Sequence, residues 1–294
     1  MTTAIRTSGL SKDYGADRGL FDLDLAVEAG EVFGFLGPNG AGKTTTIRLL
    51  TGMIHPTGGT ASIFGLDCQR DAVAVKRVIG YLPGDLPQFG GTRGREVVTY
   101  LGGMRGDVDS LRVQQLCERL DLDLGRRFRE YSHGNKQKLG LVIAFMHRPR
   151  LLILDEPTSG LDPLNQQTFQ ELVREAKQDG ATVFLSSHVL SEVEETCTRV
   201  GIIRSGHLIS TMTMDQVHEM SYREVEVEFA GSVPEVAVRG ARGVQDVRID
   251  GNRLRCTVRG EFAPLLAALD HAAVIDFVSR EPSLETIFLS FYQR

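Results

Sequence analysis

Gly37-Pro38-Asn39-Gly40-Ala41-Gly42-Lys43-Thr44-Thr45 is the stretch that decides the fold of this chain. Gly37, Gly42, Lys43 and Thr44 fall on the phosphate-loop pattern G-x-x-x-x-G-K-[ST], whose glycines let the backbone curl until consecutive N–H groups point inward. Lys43 is then placed to reach β- and γ-phosphate oxygens, and the Thr44 hydroxyl to ligate Mg2+. Asn39, Gly40, Ala41 and Thr45 complete the cradle. An apolar run at 32–36 leads into the loop and 45–50 reads as a helix leaving it, the strand, loop, helix context that the motif requires.

A phosphate loop needs a second, acidic element for the metal and for the attacking water. The run Leu151-Leu152-Ile153-Leu154-Asp155-Glu156 supplies one. Four apolar residues in sequence read as a strand buried on both faces. Asp155 at its end is positioned to hold Mg2+ through a water, and Glu156 beside it is the candidate general base.

Outward from these motifs, strand-like runs occur at 4–10, 20–27, 32–36 and 79–82, broken by Gly and Asp. From about 85 to 148 the texture is helical, with helices expected at 93–104, 110–120 and 135–147. A helix at 163–178 and a strand at 181–186 resume the α/β pattern. Segments 199–204 and 207–210 read as a hairpin turned at Ser205-Gly206. The character changes near 220–222, and the remainder reads strand (224–229), short helix, strand pair turned near Asp250-Gly251-Asn252, helix (262–269), strand (273–278) and helix (282–292), a small α+β domain at 222–294.

Composition narrows the class. The 294 residues are 41% hydrophobic and 24% charged, ordinary for a globular protein of about two domains. The longest apolar run, 139–146, is far short of the roughly 18 residues that span a bilayer, and the first residues lack the basic and apolar segments of a secretory signal. Net charge of −5 argues against nonspecific nucleic-acid binding. Cys68, Cys117, Cys197 and Cys256 are far apart, the pattern of reduced thiols and not of a zinc site or disulfide framework.

With both nucleotide motifs in hand, residues 1 to about 215 resemble the nucleotide-binding subunit of ATP-binding-cassette (ABC) transporters. Tyr14 stands where that family stacks an aromatic on adenine. Ser132-His133-Gly134-Asn135-Lys136-Gln137 resembles the signature sequence, Ser159-Gly160-Leu161-Asp162 the loop that crosses the dimer seam, and His188 the switch histidine. The resemblance implies an α/β P-loop (RecA-like) core with an N-terminal antiparallel β subdomain and an inserted helical subdomain, domain boundaries at 1–220 and 222–294, and ATP with Mg2+ as cofactors. It implies catalytic roles for Glu156, His188 and Lys43. A head-to-tail pair of chains would share two ATP sites, each closed by Ser132, Gly134 and Asp162 of the other copy.

Two departures stand out. The signature carries His133 where the family has Gly. Position 84 is Gly and position 85 Asp where the family commonly has a Gln that couples Mg2+ to the membrane partner. Asp85 either ligates the metal through water in its place, or faces solvent while Gly84 lends flexibility.

The ending Glu281-Pro282-Ser283-Leu284-Glu285-Thr286-Ile287-Phe288-Leu289 resembles bacterial ABC-2 export ATPases, including the daunorubicin-resistance and sodium-exporter groups. The expected function is therefore the ATPase of an exporter that moves a drug-like or other small substrate through separate membrane-spanning subunits. It would lie at the cytoplasmic face of the membrane and bind no nucleic acid. An importer subunit, or a soluble cassette ATPase acting on nucleic acid or ribosomes, is the alternative; the spacing from Lys43 to Asp155 leaves no room for the long coiled coil of repair-type members.

Overall fold

In the computed structural model, residues 2–106, 109–220, 222–270 and 272–280 are described, and the helix expected at 282–292 lies outside them. The chain divides after Met212 into two units.

The first unit opens with β1 (Thr3–Asp13) and β2 (Gly19–Glu28), paired antiparallel, and continues with β3 (Val32–Leu36) and α1 (Lys43–Leu50). β4 (Gly58–Ile63), β5 (Leu66–Asp67) and α2 (Ala72–Val78) come next, three elements that the sequence pattern does not predict. β4 begins with two glycines and shows little alternation; its place is set by β1, where Ile5 faces Ile63 and Thr7 faces Ala61. A four-stranded sheet in the order β2-β1-β4-β5 results.

β6 (Ile79–Leu82) precedes the helical block, α3 (Gly94–Gly103), α4 (Ser110–Arg119) and α5 (His133–Phe145). Then come β7 (Leu151–Asp155), α6 (Pro163–Gln178), β8 (Thr182–Ser187), α7 (Leu190–Thr196), β9 (Arg199–Arg204) and β10 (His207–Thr213). The second sheet runs β10-β9-β3-β8-β7-β6. Its central strands β3, β7 and β8 are buried at every position, which is why they read as unbroken apolar runs. Ser205 and Gly206, with φ of 47° and 81°, turn β9 into β10 as a two-residue hairpin requires. One apolar core joins both sheets: Ile5, Leu23 and Ile63 from the first meet Phe33, Ile153 and Phe184 from the second, with Ile47 of α1 between.

The second unit contains α8 (Met214–Met220), β11 (Tyr222–Phe229), α9 (Glu235–Gly240), β12 (Val244–Asp250), β13 (Arg253–Arg259), α10 (Ala263–Ala268) and β14 (Val274–Arg280). From β11 onward this is a split βαβ unit, with sheet order β12-β13-β11-β14. Alternation decides its faces. Val225, Val227 and Phe229 pack with Val238 and Leu265 of the two helices. Glu226 and Glu228 point the other way and pair at 3.0 Å with Arg255 and Arg253 of the neighbouring strand.

Candidate functional site

Strand register builds the site. β3, β7 and β8 are parallel neighbours in which Leu36 faces Ser187 and Asp155 faces Ser186. The residues at the exit of each strand, namely the loop 37–45, Glu156 and His188, must therefore emerge together at the carboxyl edge of the sheet, where open α/β folds bind ligands.

The loop's glycines are required by its path. Gly40 and Gly42 have φ of 80° and 112°, the left-handed region that favours glycine. Gly42 is also the N-cap of α1 and has no side chain to cap it, so the first-turn amides remain available to an anion. A cavity of about 460 Å3 opens over the loop, lined by residues 38–45 together with Tyr14, Arg18, Glu156 and Ser205. Tyr14 stands half-exposed at its rim, with Lys12 Nζ 5.6 Å from its ring centre.

At the cavity floor Lys43 is buried and donates to the Gly37 carbonyl at 2.6 Å and the Pro38 carbonyl at 3.3 Å. Its Nζ also lies 3.1 Å from Glu156 Oε1, while His188 Nδ1 lies 2.7 Å from Glu156 Oε2. All three residues expected to be catalytic thus meet at one carboxylate. Alongside, the Thr44 hydroxyl donates to Asp155 Oδ2 at 2.9 Å and the Ser186 hydroxyl to Asp155 Oδ1 at 2.6 Å. Two hard oxygen donors in contact suit Mg2+, which keeps several waters and takes few protein ligands when phosphates supply the rest.

Glu156 itself sits at φ 49° immediately before Pro157, a conformation both uncommon for a non-glycine residue and disfavoured before proline. Its surroundings hold it there. Its N–H donates to Ser186 Oγ at 3.0 Å. Gln137 Nε2, from the buried face of α5, donates to the Glu156 and Pro157 carbonyls at 3.0 and 3.1 Å.

Neither Ser186 nor Gln137 is singled out as a site residue by the sequence reading. The one available signal for Ser186 is a polar residue inside an otherwise apolar buried strand. For Gln137 the signal is its place in the signature-like stretch 132–137, which does not give its targets, backbone carbonyls 19 and 20 residues away.

Ser132, Gly134 and Asp162 lie apart from the loop's cavity and form a second surface. Ser132 caps α5, accepting from Asn135 N at 3.3 Å. Asp162 caps α6, accepting from Asn165 N at 3.0 Å, and the bonds from Asn165 hold its carboxyl below the usual range. The two caps meet through His133, whose Nε2 is 3.5 Å from Ser159 Oγ and whose ring covers Gly160. A Cβ at Gly134 would stand 2.5 Å from the Gly160 carbonyl oxygen, so no larger residue fits.

Asp85 is exposed and, among the described residues, makes no hydrogen bond or ion pair. Its neighbour Gly84 is the one that abuts the acidic element: a Cβ there would lie 3.3 Å from Asp155 Oδ2.

A phosphate loop, a strand-end Asp-Glu pair and a histidine on one sheet edge define a nucleotide-hydrolysing P-loop ATPase. A model of the ABC transporter family matches residues 20–159. The chain is 36% identical over 234 residues to "Bacitracin transport ATP-binding protein BcrA" of Bacillus licheniformis, covering 78% of this chain and 76% of that one. It is 33% identical over 308 residues to "Daunorubicin resistance ATP-binding protein DrrA3" of Streptomyces coeruleorubidus, covering 98% and 95%. The solved "Structure of ATP binding subunit of ABC transporter" superposes with a TM-score of 0.67 at 30% identity, covering 74% of this chain and 92% of that one. The chain belongs to the ABC transporter family as an ATP-binding, ATP-hydrolysing subunit.

Proposed function

We propose that this chain is the ATPase of an ABC-2 type exporter that drives a drug-like or other small substrate through separate membrane-spanning subunits, two copies closing head to tail around two ATP molecules. The observation that carries the shared site is a separation within one chain. Lys43, Glu156 and His188 converge over the loop, whereas Ser132, Gly134 and Asp162 lie outside that cavity, on a surface open to a second copy. Export is supported by the bacitracin-transport and daunorubicin-resistance names of its relatives. No helix among the described residues is long and apolar enough to cross a membrane, which fits a peripheral subunit held at the cytoplasmic face through its permease.

Within the composite site, a γ-phosphate competes for Lys43, drawing its ammonium from the Gly37 and Pro38 carbonyls and from Glu156. The released carboxylate orients water as general base, and His188 stabilises charge growing on the phosphoryl oxygens. Mg2+, when bound by Thr44 and Asp155, supplies neutralisation of that charge. Asp85 enters as a metal partner only if it can turn toward Asp155; unchanged hydrolysis and transport in Asp85→Ala eliminates that role.

Glu156→Gln is expected to bind ATP, to hydrolyse it about 10²–10⁴-fold more slowly and to accumulate as a closed dimer on gel filtration. Wild-type turnover removes Glu156 from the base role. Specific activity of the purified subunit is expected to rise with protein concentration, and a flat profile in a monomeric preparation contradicts shared sites.

A further inference from the structure

The amino-terminal edge of the parallel sheet, opposite the nucleotide loop, carries a second cavity of about 380 Å3 beside the start of β7 and the residues leading into β8. Three arginines line it: Arg112 on α4, and Arg148 and Arg150 in the connection between α5 and β7. One carboxylate, Asp179, shares the lining. It reaches Arg148 only at 3.7 Å, with both side chains largely exposed, a geometry that contributes little. The next acid, Glu175, is engaged by Arg119 at 2.7 Å.

Arg112 is the least satisfied of the three. Among the described residues its Nε is buried without a hydrogen-bond partner, a demand that a ligand oxygen would meet. Burial, and then the charge of Arg148, hold Arg112 below the usual arginine range. Arg148 occupies φ 46°, a left-handed position that a non-glycine residue adopts only when its surroundings impose it. The Arg150 guanidinium lies 4.2 Å from the ring centre of Phe64, a cation–π contact with a residue outside the cavity's lining.

Three arginines around a cavity that holds one weakly engaged carboxylate match a tetrahedral oxyanion, to which guanidinium forks bond in pairs. We propose that Arg112, Arg148 and Arg150 form a binding site for a phosphate-type oxyanion, carried either by a small soluble phosphate compound or by an anionic lipid headgroup. The volume admits a phosphate with a short organic substituent. The site is separate from the nucleotide loop and independent of the transport reading.

Calorimetric titration of the full-length chain with inorganic phosphate and with glycerol 3-phosphate tests the soluble source. Lys43→Ala is included so that the nucleotide loop is not the receptor. Saturable binding is expected in wild type and in Lys43→Ala, at least tenfold weaker in Arg148→Gln and absent in Arg112→Gln. Asp179→Asn, which removes the competing carboxylate, is expected to tighten it severalfold. Flotation with vesicles of phosphatidylglycerol against phosphatidylcholine tests the lipid source. Retention on the anionic vesicles alone, lost in Arg148→Gln, assigns the site to headgroups. Arg148 lies at the surface, so its variant keeps the test valid if Arg112→Gln fails to fold. No saturable phosphate binding together with no Arg148-dependent flotation overturns the proposal, as does equal binding by wild type and Arg148→Gln.

Discussion

At the residue scale, the site is governed by what surrounds single atoms. Glu156 has both carboxylate oxygens within 3.1 Å of a side-chain nitrogen, so its freedom to accept a hydrogen bond from water depends on which of those nitrogens a phosphate draws away. Gly134 is governed by space. Gly134→Ala would push a methyl against the Gly160 carbonyl, a backbone atom that cannot swing aside. A stability loss of about 1–3 kcal/mol is expected, read by thermal denaturation, with ATP binding at the chain's own loop unchanged. Gly84 is a third case. A Cβ at this position would touch Asp155 Oδ2, so on that flank of the Thr44–Asp155 pair the chain presents a glycine and no side chain.

At the scale of elements, strand ends carry the chemistry and α5 connects them to the rest. The phosphate loop and the Asp155-Glu156 pair are legible in the sequence because their strands are buried on both faces and end abruptly in glycine or acid. β4 and α7 are not. Two glycines weaken the first, and the Ser191-Glu192-Val193-Glu194-Glu195 run gives the second a charged texture in which Val193 alone is buried. The Gln137 link is invisible for another reason: a side chain that bonds to backbone carbonyls leaves no complementary residue type to look for.

Gln137→Leu keeps the bulk in α5 but leaves the Glu156 and Pro157 carbonyls without this donor. With Glu156 free to relax from φ 49°, turnover is expected to fall about 10–100-fold, a misplacement effect, while ATP affinity stays within about twofold. Separate measurement of nucleotide binding and of single-turnover hydrolysis checks this. Equal losses in both would make Gln137 a general packing residue.

At the scale of the whole molecule, a polar cluster far from the nucleotide sets a pH limit. His147 and Arg105 contact each other and the Ile79 carbonyl at the start of β6. Burial, and then the charge of Arg105, lower His147 from 6.5 to about 4. The unfolded chain therefore binds a proton that the native chain refuses between about pH 4 and 6.5, and stability falls as pH drops through that window. Chemical denaturation at pH 7 and pH 5 should show a loss in wild type that is smaller in His147→Gln. An equal loss in both assigns the acid sensitivity to other groups.

Composition and periodicity change near 220–222, where β11 begins, and not after Met212, where the chain divides into its two units. Which surfaces would face a second copy in the proposed pair is not legible in the sequence, because motif spacing records order along the chain and not the direction in which Ser132 points.

The first two turns of one helix thus fall under different jurisdictions. In the proposed pair, Ser132 at the start of α5 answers to the nucleotide held by the neighbour, while Gln137, little more than a turn later, grips the backbone of the chain's own base. Filling one site therefore tunes the other, and hydrolysis becomes a shared decision: the rate should rise more steeply than linearly with ATP, with a Hill coefficient above one, and cutting the Gln137 grip should return it to one.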